Sequence, residues 1–222
     1  MANDNAVPFD PVHDTQAIYR ALLNAVSRPG TVERLEASIA RLQLPLGICP
    51  AAAGIASALL DGEVRFAMLM EDQEAFTAYV RRMLFSKEAA AAEADYLFAD
   101  GIMPEAEIRE VMGSVKRGTL VAPDDSTTLF IRVNRIESGD ELQLQASGGQ
   151  EQNVSLLLSG PGIRTEQACI IHGLSREWLI ARGTINSEYP MGVDVFLFTE
   201  TGDCMALSRT TKVKEAEPAW RM

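Results

Sequence analysis

The sequence predicts an α/β domain in which a layered, mixed β-sheet is flanked by helices. Apolar residues recur at helical spacing in several segments, and short runs of branched or large apolar residues lie between those segments. An apolar hairpin pattern near the end of the chain adds antiparallel strands. The 222 residues can bury roughly 70% of the unfolded surface. We therefore expect one domain over residues 1–222, with peripheral tails at 1–8 and 214–222.

Helices and strands alternate in the first half of the chain. Helical spacing predicts three helices there, over residues 15–26, 51–60 and 72–84. Branched and large apolar residues predict two strands, over residues 64–70 and 96–99. This alternation is typical of a sheet that is covered by helices.

The middle of the chain predicts one short helix and a hairpin. Residues 106–115 have helical spacing. Two segments alternate between apolar and polar residues, Leu129–Val133 and Leu142–Leu144, with a turn signal at residues 138–140 between them. We expect these segments to pair and to be half exposed.

The last third predicts a strand at residues 154–158 and a helix at residues 176–185 that Ser175 caps. A buried hairpin follows, because Val193–Phe198 is uniformly apolar and Gly202 suits the reversal after it. The hairpin should carry the polar, cationic segment 208–212 at its far end.

Composition excludes several classes of function. The formal net charge of -11 opposes nonspecific binding of nucleic acid. The N-terminus lacks a leader pattern, and no apolar run approaches the roughly 20 residues of a membrane span, so we expect a cytoplasmic protein. The 3 cysteines and 2 histidines form no CxxC or zinc pattern, so disulfides and a metal site are not expected.

The sequence predicts no catalytic residue. Cys169 and His172 would meet on a helix, but Ile170 and Ile171 favour a strand, which sends the two side chains to opposite faces. An inert thiol and a hydrogen-bonded histidine are therefore expected. The chain also lacks the GxxxxGK[ST] loop that would bind ATP.

Two segments are candidates for binding an anion or a neighbouring subunit. The first is the loop with Gly160, Gly162 and Arg164, whose backbone amides suit an anion, although a tight turn also explains the glycines. The second is the cationic segment with Arg209, Thr210 and Lys212.

Three alternative roles remain open for the cationic segment. An internal ion pair with Asp194 is one alternative to an anion site, and solvated surface charge is another. Lys212 lies in an apolar sequence context, so a Schiff base with pyridoxal phosphate is a third hypothesis.

Five blocks together resemble PhnH, the H subunit of the bacterial carbon–phosphorus lyase core complex. The blocks occur in the family's order and are FDPVHDTQAIYRALLNAVSRPGTV (9–32), ADYLFADG (94–101), GTLVAPDDSTTLFI (118–131), LSGPGI (158–163) and YPMGVDVFLFTETGDCMALSRTTKV (189–213). The resemblance implies a fold similar to the large domain of pyridoxal-phosphate-dependent transferases, without the cofactor or its lysine.

The resemblance also implies a function that depends on other proteins. PhnH-like proteins belong to a core assembly with the G, I and J subunits and can form homodimers when isolated. With the G, I and L subunits they are required for displacing the adenine of ATP by a phosphonate such as methylphosphonate, which gives a ribose 1-phosphonate 5-triphosphate. A stand-alone transferase that uses Lys212, or a homodimeric binding protein, are the alternatives.

Overall fold

The computed structural model describes residues 8–71, 73–139 and 153–215. Its α-helices are α1 His13–Ser27, α2 Glu36–Ile39, α3 Pro50–Leu59, α4 Gln73–Met83, α5 Glu105–Ser114 and α6 Arg176–Ile185, and a 3-10 helix spans Ala91–Glu93. Its strands are β1 Glu33–Arg34, β2 Arg65–Leu69, β3 Lys87–Glu88, β4 Tyr96–Asp100, β5 Thr128–Arg132, β6 Arg135–Ser138, β7 Asn153–Ser159, β8 Gln167–His172, β9 Asp194–Phe198, β10 Asp203–Leu207 and β11 Lys212–Glu215.

The larger sheet is mixed, as the sequence predicts. It has seven strands in the order β1-β10-β9-β5-β4-β2-β3. The strands from β9 to β3 pair in parallel, whereas β10 and β1 join antiparallel at the other edge. The predicted hairpin is confirmed, because β9 and β10 pair with Leu207 opposite Val195.

A second sheet of four antiparallel strands has the order β11-β7-β8-β6. The sequence indicates its strand at residues 154–158, but it does not indicate a separate sheet. In β7, buried residues alternate with half-buried ones, so one face of this sheet packs inward and the other remains accessible to solvent.

Apolar residues cover both faces of the larger sheet, which makes a three-layer domain. On one face, α1, α3 and α4 pack over a row of phenylalanines, and the rings of Phe98, Phe130 and Phe196 stack with centroid distances of 5.2 and 4.8 Å. On the other face, α5, α6 and the second sheet share one core with Leu129 and Ile131.

The prediction of a half-exposed hairpin at Leu129–Val133 is wrong. Strand β5 lies between β4 and β9 in the middle of the larger sheet, and Leu129, Phe130 and Ile131 are buried. Phe130 faces one core while its two neighbours face the other, so both faces of the strand are covered. The proposed partner at Leu142–Leu144 lies outside the described residues.

The end of the described chain also differs from expectation. Lys214 and Glu215, which the sequence assigns to a peripheral tail, belong to β11 and pair with β7. None of the helices in the described part of the chain combines the length and the apolar character of a membrane span.

Candidate functional site

Segment 208–211 carries the chain from β10 in the larger sheet to β11 in the second sheet. Because β9 and β10 are antiparallel, this segment lies beside Asp194, the first residue of β9. The Asp194 carboxylate accepts hydrogen bonds from the Arg209 backbone N–H at 2.6 Å, from its Nη2 at 2.7 Å and from its Nε at 3.1 Å. The internal ion pair, one of the alternatives from sequence, is therefore present.

The Arg209 guanidinium is fully occupied by the protein. Besides Asp194, its Nη1 donates to the carbonyls of Pro123 at 2.7 Å and Pro190 at 3.3 Å, and its Nη2 donates to the Ser126 hydroxyl at 2.8 Å. A guanidinium has five N–H donors, and these contacts use all five. Arg209 thus fixes two loops, one with Pro123 and Ser126 and the other with Pro190, to β9 and keeps no donor for an external anion.

The glycine loop joins β7 to β8 and packs closely on its neighbours. Gly162 has φ +84°, and a Cβ there would lie 2.3 Å from the carbonyl oxygen of Ser27 at the end of α1. Gly160 has φ +132°, and its Cβ would lie 3.0 Å from the Thr210 carbonyl oxygen. Close backbone approach accounts for both glycines. It also brings the two predicted segments together.

The remaining cations of the two segments are accessible. Arg164 is exposed in the glycine loop, and Lys212 is exposed at the start of β11. The apolar context inferred for Lys212 is wrong, because β11 is an edge strand: Val213 packs against the core, while its neighbours on either side point away from it.

Sequence reasoning missed Arg182, a buried arginine on α6 beneath segment 208–211. Its side chain is 4% exposed. Its Nη2 donates to the carbonyls of Ser208 at 2.5 Å and Thr211 at 3.1 Å, and it lies 3.5 Å from that of Leu207. Burial lowers the pKa of Arg182 to about 10, although the charge of Asp194 acts in the opposite direction. The sequence does contain a signal for this burial. Arg182 follows Trp178 by four residues, so both side chains lie on the same, buried face of α6.

A groove of about 800 Å³ runs between α6 and β11. Leu179, Ile180 and Tyr189 contribute apolar surface, and Arg182, Thr210, Lys212 and Lys214 contribute polar groups. The groove therefore adjoins both predicted segments.

A second cleft of about 560 Å³ lies at the carboxyl ends of β4, β5 and β9. There the Asp100 carboxylate accepts hydrogen bonds from Arg132 Nε at 2.7 Å and from the Glu71 backbone N–H at 3.1 Å. Open α/β sheets commonly bind ligands at this edge. Sequence reasoning did not identify this cleft, because its residues come from distant segments.

The described residues agree with the prediction for Cys169 and His172. Both lie in β8, where Cys169 is buried and His172 Nε2 is 2.8 Å from Glu137 Oε1. Desolvation raises the pKa of Cys169 to about 12, which disfavours the nucleophilic thiolate. No group of three or more potential metal ligands occurs within residues 8–71, 73–139 and 153–215.

Comparison with known proteins gives a consistent assignment. A family model described as "Bacterial phosphonate metabolism protein (PhnH)" matches residues 8–214. The chain is 26% identical over 198 residues to the putative C-P lyase subunit protein HtxG of Stutzerimonas stutzeri. The aligned residues cover 89% of this chain and 85% of the relative.

A second relative is the alpha-D-ribose 1-methylphosphonate 5-triphosphate synthase subunit PhnH of Rhizobium meliloti (strain 1021). It is 24% identical over 205 residues, which cover 92% of each chain. The match to the family model extends over nearly the whole sequence and includes both sheets. The chain therefore belongs to the PhnH family of bacterial phosphonate metabolism proteins.

Proposed function

We propose that this chain is a cytoplasmic, non-autonomous subunit of a carbon–phosphorus lyase system. Together with its partner subunits it is required for transferring the ribose 5-triphosphate part of ATP to a phosphonate such as methylphosphonate. The observation that carries this proposal is the family match over residues 8–214. The names of the two relatives, a C-P lyase subunit and a synthase subunit, support it.

The chemistry of the described residues supports a dependent role. Cys169 and His172 are not arranged as a nucleophile and base, and the three described cysteines are buried with raised pKa values. Arg209 is committed to an internal network. A subunit of this kind contributes by burying surface against partners and by shaping their sites.

The partners in this proposal are the G, I and J subunits of the core complex, and the isolated chain forms a homodimer. The proposed likeness to the large domain of pyridoxal-phosphate-dependent transferases is supported by five neighbouring parallel strands in a sheet that has an apolar core on each face. In this proposal the domain does not use that cofactor.

We assign the partner contact to the face where the two predicted segments meet. Its candidate residues are Gly160, Gly162, Arg164, Asp194, Arg209, Thr210 and Lys212. Within this set, Arg164 and Lys212 offer exposed charge, while Asp194 and Arg209 hold the backbone of the face in place. Gly160 and Gly162 allow the loop to approach segment 208–211 and the end of α1.

Deleting the gene from its own bacterium tests the proposal. We expect the deletion strain to grow on inorganic phosphate but not on methylphosphonate as the only phosphorus source, and a plasmid copy should restore growth. Normal growth of the deletion strain on methylphosphonate would contradict the proposed role, provided that no second copy of the gene is present.

A further inference from the structure

We propose that the groove between α6 and β11 receives an extended, acidic segment of a partner subunit, which adds as a new strand to the edge of β11 that no described strand occupies. This inference rests on the proposed function, since it takes the occupant from the same multi-subunit assembly. It specifies how the contact is made, by backbone pairing along a sheet edge.

Strand β11 has one edge that no described strand occupies. β11 is the last strand of the second sheet, and its pairing with β7 uses only one of its two edges within the described residues. In an antiparallel strand, alternate residues direct their N–H and C=O groups away from the existing partner. Such groups are a template for another strand, and proteins commonly block or cover them.

The space beside that edge is a groove that residues of α6 and β11 line. Helix α6 and β11 run side by side in opposite directions, as two contacts show. The Arg176 side chain lies 3.5 Å from that of Glu215 at one end, and the Arg182 side chain lies 3.1 Å from the Thr211 carbonyl at the other. Both elements pack on the same face of the larger sheet. The groove therefore lies between β11 and α6, and the helix forms the wall opposite the strand.

The lining of the groove suits a polypeptide. Ile180 and Tyr189 are 59% and 69% exposed, which provides apolar surface for side chains of an added strand. Lys212 and Lys214 are exposed and two residues apart, so they lie on one face of β11. A chain with a net charge of -11 thus presents a basic edge, which is complementary to acidic residues at alternate positions of the added strand.

The Arg176–Glu215 ion pair crosses the groove at one end, and it does not prevent entry. The two side chains are 67% and 45% exposed, and exposed pairs of this kind contribute little to stability. An incoming strand can displace the pair and can then donate its own backbone hydrogen bonds to β11.

Backbone hydrogen exchange distinguishes strand addition from other contacts. The tagged full chain is purified alone and in complex with co-expressed G, I and J subunits, and exchange is followed by mass spectrometry. We expect the amides of residues 212–215 that face the groove to exchange at least about tenfold more slowly in the complex, because new hydrogen bonds protect them. Unchanged exchange across 212–215 in an assembled complex would overturn the inference.

Charge reversal supplies the second test. The double variant Lys212→Glu, Lys214→Glu should weaken assembly at least about tenfold, because like charges then meet across the groove. Lys87→Glu is the matched control, since Lys87 is also an exposed lysine on an edge strand, but of the larger sheet, and it should assemble as the wild type does. Circular dichroism and thermal unfolding of each isolated variant establish that the variants fold.

The outcomes separate this inference from the proposed function. If the wild-type chain does not assemble with the three subunits, the proposed function fails. If the wild type assembles and the double variant assembles equally well, only the groove inference fails. Concentration-dependent protection of 212–215 in the isolated chain would identify a second copy as the occupant, and protection by millimolar phosphate or methylphosphonate alone would identify a small anion. Either result overturns the inference.

Discussion

Replacing Arg209 tests whether this residue holds the fold together or binds something outside it. Arg209→Ala removes five side-chain hydrogen bonds, two of them to the Asp194 carboxylate and three to neutral oxygens of other loops. We expect this variant to be clearly less stable than the wild type, because all five donors serve internal acceptors.

The magnitude follows from the burial of the ion pair. Removing one member of a buried pair costs about 3–5 kcal/mol. The Arg209 and Asp194 side chains retain 17% and 25% of their exposure, so solvent relieves part of this cost, and the Arg209 backbone N–H still binds Asp194. We therefore expect a loss of about 3 kcal/mol, which corresponds to a fall in Tm of about 6–12 °C for a chain of this length.

Urea unfolding followed by circular dichroism measures this loss of stability. Two further variants serve as comparisons. Arg209→Lys keeps the charge but not the planar fork of donors, so it should recover only about 1 kcal/mol. Lys212→Ala, at an exposed position three residues away, should change stability by less than about 0.5 kcal/mol. A stable Arg209→Ala protein, within about 1 kcal/mol of the wild type, would show that Arg209 does not hold the fold together. Weakened partner binding by such a protein would instead assign Arg209 a direct binding role.

Three further predictions follow from buried or closely packed groups. Burial acts to raise the pKa of Asp95, but hydrogen bonds from Lys116 and from the backbone outweigh burial and lower that pKa. The Asp95→Asn variant should therefore be less stable than the wild type by about 0.5–1 kcal/mol at pH 7. Thermal unfolding should show that this stability difference between the two proteins narrows as pH falls below about 4, because the wild-type carboxylate then becomes protonated. The three cysteines are buried, so a thiol reagent should label none of them in the native protein and all of them in urea; rapid native labelling would contradict their placement. Gly162→Ala should cost about 2 kcal/mol, because Gly162 has a left-handed φ and a Cβ there would strike the Ser27 carbonyl, whereas Gly113→Ala on α5 meets open space and should stabilise by about 0.5 kcal/mol in the same urea assay.

Elements that local signals define could be predicted from the sequence. Helix α6 has the predicted bounds, and the Ser175 hydroxyl accepts a hydrogen bond from the Glu177 backbone N–H as an N-cap. The β9–β10 hairpin was also predictable, because its two strands follow each other directly in the sequence and Gly202, with φ +100°, allows the chain to reverse between them. In both cases residues within one short segment determine the structure.

Features that depend on distant segments could not be predicted in this way. Strand β5 pairs with β4 and β9, which are far from it along the chain, so its alternating pattern gave no sign that both of its faces are covered. The groove depends on β11 leaving the larger sheet to join the second one, and no local pattern encodes that change of sheet. Arg182 similarly acts on carbonyls that lie 25 to 29 residues further along the chain.

In the proposed function, this chain contributes to phosphonate chemistry only together with other subunits. Release of adenine from ATP and methylphosphonate by purified G, H, I and L subunits, with this chain as the H subunit, tests that dependence. We predict adenine release by the complete mixture and none by this chain alone or by the mixture that lacks it. Equal release without the chain, or sustained release by the isolated chain, would contradict the proposed dependence on partner subunits.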